Sequence, residues 1–95
     1  MSTGPLVFRV HAIKRMFQRR ISEDDVRYVL ETGETIEAYP HDMPYPSRLV
    51  LGWRRARPLH VVAADNADTE ETIVITTYEP DPAEWERDWK RRRQR

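Results

Sequence analysis

The residues most able to do chemistry in this chain are a histidine and an arginine near its start. His11 and Arg15 lie four residues apart, which places both side chains on the same side of a helix. Residues 1–20 contain no acidic side chain that could neutralise them. Imidazole exchanges protons near neutral pH, and the planar guanidinium can hold two phosphate oxygens. The pair therefore predicts contact with a phosphate-bearing partner.

Three further side chains could join such a site. Chemistry at a phosphate ester needs a base, an acid and cations that stabilise the negative charge on phosphorus, and it needs no metal. His60 lies on an apolar strand, so it is either a proton-transfer group on an open sheet face or a hydrogen-bonded core histidine. Arg48 and Tyr78 occupy strand ends, where their side chains either reach a site at the rim of the sheet or are ordinarily solvated. The candidate catalytic residues are His11, Arg15, Arg48, His60 and Tyr78.

The charged residues are distributed in blocks. Sixteen Lys and Arg balance sixteen Asp and Glu, and a neutral chain would by itself argue against a nucleic-acid ligand. Residues 1–20 and 48–58 are nevertheless purely basic, whereas residues 21–47 and 65–88 are mostly acidic. Folding could gather the basic blocks on one side, or blocks of opposite charge could pair across the surface. The candidate nucleic-acid-binding residues are Lys14, Arg19, Arg20, Arg54, Arg55 and Arg57.

Composition excludes several classes of protein. The chain contains no cysteine, so disulfides and thiolate chemistry are excluded. The three histidines are too widely spaced to predict a zinc site, and we expect no metal and no cofactor. No apolar run is long enough to span a membrane, and no signal peptide is evident, so a cytoplasmic protein is expected. The length of 95 residues predicts a single domain over residues 1–95, with a basic tail from about residue 90 that projects from it.

The periodicity of apolar residues predicts the elements that carry these side chains. A first helix is expected over residues 9–19. A second begins at the N-cap Ser22 and ends at Gly33, for which a left-handed conformation is expected. Alternating patterns predict strands at 34–39, 48–53, 58–64 and 72–78, with a proline-rich loop between the first two. Asp81 and Glu84 are typical of a helix start, which predicts a final helix from about Pro82.

The predicted fold class is α+β. Short connections between successive strands favour an antiparallel sheet of three or four strands. Two N-terminal helices and one C-terminal helix should lie against it.

Several spaced motifs resemble one family. They are the His11–Arg15 spacing, Arg19-x-Ile-Ser-x-x-Asp25-Val, Gly33, Tyr39-Pro40, Gly52, Pro58-Leu-His-Val-Val62 and Thr77-Tyr-x-Pro80-x-x-x-x-Trp85. Together they resemble a family of small prokaryotic proteins that carry a domain of unknown function. That family is similar to the BrnT and RelE-like toxins of type II toxin–antitoxin systems.

The resemblance implies a RelE/BrnT-like fold and a cytoplasmic endoribonuclease. Such a toxin would act on messenger RNA, often on the ribosome, and would be neutralised by a helix-turn-helix antitoxin. RelE-like enzymes use varied residue sets, so no single catalytic motif carries over. On this hypothesis His11 and His60 share proton transfer, Arg15 and Arg48 hold the phosphate, and Tyr78 contacts a base or ribose. The alternatives are a non-catalytic protein- or RNA-binding module and a small-molecule or regulatory domain.

Overall fold

The computed structural model describes residues 4–94, so residues 1–3 of the first basic block and Arg95 of the basic tail lie outside it. Within residues 4–94 the chain forms five strands and two helices. They are β1 (Leu6–Phe8), α1 (Val10–Arg19), α2 (Glu23–Thr32), β2 (Glu34–Tyr39), β3 (Ser47–Arg54), β4 (Arg57–Asn66) and β5 (Glu71–Tyr78).

The strands form one mixed sheet in the order β1-β5-β4-β3-β2. Strands β2 to β5 form an antiparallel meander, whereas β1 runs parallel to β5, with Leu6 opposite Thr72. The expected antiparallel sheet of three or four strands is therefore wrong. Because β1 has only three residues, it is too short to show alternation in the sequence. Its position depends on long-range hydrogen bonds with β5, including Thr72 N–H to Pro5 O at 3.0 Å.

The two helices begin and end close to the expected positions, because local hydrogen bonds determine their ends. At the start of α2, Ser22 Oγ accepts from Asp25 N at 3.0 Å, and Asp25 Oδ2 accepts from Ser22 N at 3.0 Å. Gly33 ends α2 with φ −82°, so the expected left-handed conformation is wrong at this residue. The left-handed C-cap lies instead after α1, at Arg20 with φ 55°.

Both helices pack on the same face of the sheet and form the main core with it. Apolar residues one turn apart on each helix turn inward, as their helical spacing requires. The side chains of this core include Ala12, Met16, Val26, Val29, Val50, Leu59, Val61 and Val74. None of the helices among the described residues is long and apolar enough to cross a membrane.

The opposite face of the sheet is covered by the C-terminal segment, residues 79–94. The helix expected from Pro82 is wrong, because only a single turn forms there, in which Glu84 N and Trp85 N donate to Asp81 O. The chain then reverses, and Trp85 and Arg92 form an antiparallel bridge. A short isolated helix is marginally stable. Packing of Trp85 against the sheet, where it is only 3% exposed, therefore determines the conformation.

The basic tail also folds back onto the sheet instead of projecting from it. Lys90 Nζ lies 2.7 Å from a carboxylate oxygen of Glu34, and Arg92 Nη2 lies 3.4 Å from one of Glu37. Arg93 N donates to the carbonyl oxygen of Glu84 at 2.8 Å. The two ion pairs thus hold the segment against β2, and the backbone hydrogen bond holds its two halves together.

Candidate nucleic-acid interface

The exposed side of α1 carries the predicted His11–Arg15 pair. Ala12 and Met16 are buried against the sheet, which turns His11 and Lys14 toward solvent. Arg15 Nε donates to Nε2 of His11 at 3.4 Å. In this contact Nε2 of His11 is the acceptor, so its lone pair faces the Arg15 guanidinium. The pair therefore offers a proton acceptor and a cation side by side on an accessible surface.

The end of α1 meets the turn between β3 and β4. Arg57 donates from Nη2 to Arg19 O at 2.6 Å and from Nη1 to Arg20 O at 3.0 Å, while its Nε lies 2.6 Å from Glu79. Arg19 Nη1 in turn donates to Thr77 O at 3.1 Å. Both alternatives for the charged blocks therefore occur here, because Arg57 contacts the end of the first basic block and also pairs with Glu79 of an acidic block.

Arg54 and Arg55 lie at the same turn. Arg54 Nε lies 3.0 Å from Asp25 Oδ1, and its guanidinium lies 4.8 Å from the centre of the Tyr28 ring. Burial alone would raise the pKa of Asp25, but hydrogen bonds from Ser22 and Arg54 outweigh burial and hold that pKa below its ordinary value. Arg55 is exposed. The acidic block after α1 thus neutralises Arg54 but not Arg55.

Arg48 lies apart from this cluster. It forms a two-point contact with Asp65, at 2.9 Å from Nε and 3.4 Å from Nη2. Arg48 pairs with Ala63 in the sheet, whereas Arg54 pairs with Arg57. Six residues along a strand correspond to roughly 20 Å. Arg48 therefore lies at the opposite end of β3 from Arg54. There its guanidinium is bound to Asp65 of β4.

His60 and Tyr78 lie on the opposite face of the sheet, beneath the C-terminal segment. His60 is fully buried. Its Nε2 lies 2.8 Å from the carbonyl oxygen of Trp89, and its Nδ1 lies 3.3 Å from the hydroxyl of Tyr78. Its ring also meets that of Trp85 edge-on, with centroids 4.4 Å apart. A carbonyl oxygen only accepts, so Nε2 carries the proton and Nδ1 accepts from Tyr78.

This environment favours the neutral forms of both side chains. Burial lowers the pKa of His60, partly offset by the hydrogen bond to Trp89. Burial also raises the pKa of Tyr78. The core-histidine alternative therefore describes His60 in this structure.

A second polar group next to His60 was not predicted from the sequence. Glu37 accepts a hydrogen bond from the hydroxyl of Tyr39 and forms an ion pair with Arg92, whose guanidinium lies 4.6 Å from the centre of the Trp85 ring. Burial would raise the pKa of Glu37, but these hydrogen bonds lower it overall. The only sequence signal was the alternation that places Glu37 and Tyr39 on one face of a strand.

The predicted catalytic residues are therefore not gathered into one site. His11 and Arg15 are together on α1, His60 and Tyr78 are together beneath the C-terminal segment, and Arg48 pairs with Asp65. Among residues 4–94, no group of three or more His, Cys, Asp or Glu is arranged to hold a metal ion. Of these candidates, the groups that a ligand can reach are the His11 imidazole and the Arg15 guanidinium beside it.

Comparison with known proteins identifies a family. The protein-family model for DUF4258, a domain of unknown function, matches residues 8–79. The match ends at the start of the C-terminal segment. No curated protein and no solved structure matches the chain. The matched part contains α1, α2 and strands β2 to β5, with both His11 and His60, whereas Trp85 and Trp89, which contact His60, lie beyond it. On this evidence the chain belongs to the DUF4258 family.

Proposed function

We propose that this chain binds RNA through the basic surface of α1 and cleaves it, acting as the toxin of a type II toxin–antitoxin system. The basic surface comprises His11, Lys14 and Arg15 on α1, and Arg20 and Arg55 lie beyond the end of that helix. The contact between His11 and Arg15 carries the proposal, because it joins a proton acceptor to a phosphate-binding cation on an exposed helix without acidic residues. Phosphate contacts supply much of the affinity of proteins for nucleic acids.

The proposed reaction is a metal-independent transfer of the phosphate to the 2′-oxygen. His11 takes the proton of the 2′-hydroxyl, the 2′-oxygen bonds to phosphorus, and the bond from phosphorus to the 5′-oxygen breaks. Arg15 stabilises the negative charge on the phosphorane. Water protonates the leaving 5′-oxygen, because His60, the residue expected to share proton transfer, is buried on the other face of the sheet.

The biological setting rests on the sequence motifs that resemble the BrnT and RelE-like toxins. From that resemblance we infer that the substrate is messenger RNA, free or on the ribosome. We also infer that a helix-turn-helix antitoxin neutralises the chain and that the chain acts in the cytoplasm.

Inducible expression in a bacterial host tests this proposal. The wild-type chain, expressed without an antitoxin, should stop growth and degrade messenger RNA. His11→Ala should slow cleavage by roughly 10²-fold or more, as expected for loss of a general base. Arg15→Ala should also relieve toxicity. His41→Ala is the matched control, because His41 is an exposed histidine in the loop after β2.

Two results would overturn the proposal. One is a wild-type chain that does not harm the host when its partner is absent. The other is a His11→Ala variant as toxic as the wild type. Thermal unfolding of each variant must remain close to that of the wild type, since an exposed helix residue contributes little to stability.

A non-catalytic interaction module is the second candidate, and a separate observation favours it. Val10, Ile13 and Phe17 form an apolar stripe on the exposed side of α1, and Phe17 is 88% exposed. Exposed apolar stripes of this kind are typical of surfaces that contact another macromolecule. Tight binding of RNA or of a partner protein, with the RNA left intact by the purified chain, would support this candidate over the ribonuclease.

A further inference from the structure

A cleft of about 530 Å³ lies between the end of α1, the start of α2 and the β3–β4 turn. Its volume is in the range of sites that bind small molecules. Four arginines and two carboxylates line it. They are Arg20, Arg54, Arg55, Arg57, Asp25 and Glu79.

The two carboxylates neutralise only two of the four arginines. Asp25 pairs with Arg54, and Glu79 pairs with Arg57. Within residues 4–94, neither the Arg20 nor the Arg55 guanidinium has a hydrogen-bond or ion-pair partner. The cleft therefore holds a surplus of two positive charges, carried by side chains that are available to a ligand.

Arg20 and Arg55 both lie where the chain changes direction beside the cleft. Both residues adopt left-handed conformations, with φ of 55° and 59°. Residues other than glycine, asparagine and aspartate rarely adopt this conformation, because it brings Cβ close to the backbone. Glycine would be less strained at both positions. Arg20 is the C-cap of α1 and Arg55 lies in the turn between β3 and β4, so the left-handed conformations follow from a helix end and a hairpin turn that meet at the cleft.

The two arginines that form ion pairs, Arg54 and Arg57, have their guanidinium groups held in place by neighbouring residues. The guanidinium of Arg57 is fixed by the carbonyl oxygens of Arg19 and Arg20 and by Glu79. The guanidinium of Arg54 lies over Tyr28. Ordered side chains lose little conformational entropy when a ligand binds.

We infer that this cleft is a binding site for a terminal phosphate group. A phosphate monoester carries about −1.5 to −2 charges near pH 7, which matches the surplus in the cleft better than the single charge of an internal phosphodiester. Arginine forks bind phosphate oxygens in pairs. The identification of this phosphate as the end of an RNA chain rests on the proposed function. Binding of the phosphate itself requires no cleavage.

Fluorescence anisotropy with a short RNA tests the site directly. The same sequence is prepared with a 5′-phosphate, with a 3′-phosphate and with hydroxyl groups at both ends. A phosphorylated RNA should bind about tenfold more tightly than the unphosphorylated one. Arg20→Ala/Arg55→Ala should abolish that difference. Arg87→Ala/Arg91→Ala should preserve it, because both residues are exposed on the C-terminal segment and the change in net charge is the same.

Competition by inorganic phosphate distinguishes two ligands for the cleft, a free phosphate ion and the phosphate at the end of an RNA chain. Competition by inorganic phosphate without any preference for phosphorylated RNA supports the site and assigns it to a free phosphate. Equal binding of the three RNAs with no competition would overturn the inference. An equal loss in the Arg87→Ala/Arg91→Ala control would also overturn it, because net charge alone would then explain the binding. Phosphate binding by a chain that cuts no RNA would refute the ribonuclease proposal and leave this site intact.

Discussion

Nε2 of His60 donates a hydrogen bond to the carbonyl oxygen of Trp89 at 2.8 Å, and this contact joins the centre of the sheet to the C-terminal segment. It requires the proton to be on Nε2 and leaves Nδ1 to accept from Tyr78. A protonated imidazole would have no acceptor nitrogen and would place a second positive charge near Arg92, one of the groups that lower the pKa of His60. The C-terminal segment is therefore bound to the neutral form of His60.

The stability of the fold should depend on pH through His60. Burial lowers the pKa of His60 below its ordinary value of 6.5, so below pH 6.5 the unfolded chain takes up a proton that the folded chain does not. The contribution of His60 to the free energy of unfolding is complete above pH 6.5. It is lost as the pH falls from 6.5 toward the pKa of His60 in the folded chain. Urea unfolding at pH 7.5 and pH 5.5 should show this loss in the wild type.

His60→Gln is the control for that measurement. This variant should unfold at lower urea concentration at both pH values, by about 1–3 kcal/mol, because a buried hydrogen-bonding group is replaced. Its loss of stability between pH 7.5 and pH 5.5 should be smaller than that of the wild type. An equal loss in both proteins would show that His60 does not titrate in this range.

Trp85→Ala should destabilise the fold by about 3–5 kcal/mol, since it removes a large buried side chain. The Trp85 ring lies edge-on against His60 and beneath Arg92, and its loss uncovers this face of the sheet. Trp53→Ala is the matched control, because Trp53 is 46% exposed and should contribute much less. Similar changes in the urea midpoint for the two variants would contradict the packing of the C-terminal segment.

Substitutions at two neighbouring residues of α1 should change the free energy of unfolding by very different amounts. Met16 is 6% exposed and packs in the core, so Met16→Ala should lower the free energy of unfolding by about 2–5 kcal/mol. Phe17→Ser should change that free energy by no more than about 0.5 kcal/mol, because the ring is in solvent. Calorimetry of both variants checks the orientation of α1, and a large loss with Phe17→Ser would show that its ring is buried in solution.

Gly52→Ala should destabilise the contact between β3 and α2. A Cβ atom at Gly52 would lie 2.8 Å from Cγ1 and 3.0 Å from Cα of Val29. Because the backbone of α2 must shift to make room, we expect a loss of about 1–3 kcal/mol in urea unfolding. Thr35→Ala, at an exposed position of β2, is the control and should have little effect. A Gly52→Ala variant as stable as this control would mean that α2 does not approach β3 so closely.

Local signals in the sequence were sufficient for the two helices and for the meander. The capping box of Ser22 and Asp25 forms within one turn, so its effect does not depend on the rest of the fold. The same kind of signal was misleading at Asp81. The helical turn that begins there stops at Trp85, because Trp85 packs on His60 and the charges that follow pair with Glu34 and Glu37, far away in the chain.

The spacing of residues along the chain indicates which side chains share one helix face, and so it identified the His11–Arg15 pair. It could not determine that His11 and His60 lie on opposite sides of the sheet. The direction of a strand side chain depends on which face the helices cover and which face the C-terminal segment covers. The approach of Arg20 to Arg57 likewise depends on the tertiary structure, because the hydrogen bond from the Arg57 guanidinium to the carbonyl oxygen of Arg20, 37 positions away, forms only when α1 has packed on the sheet.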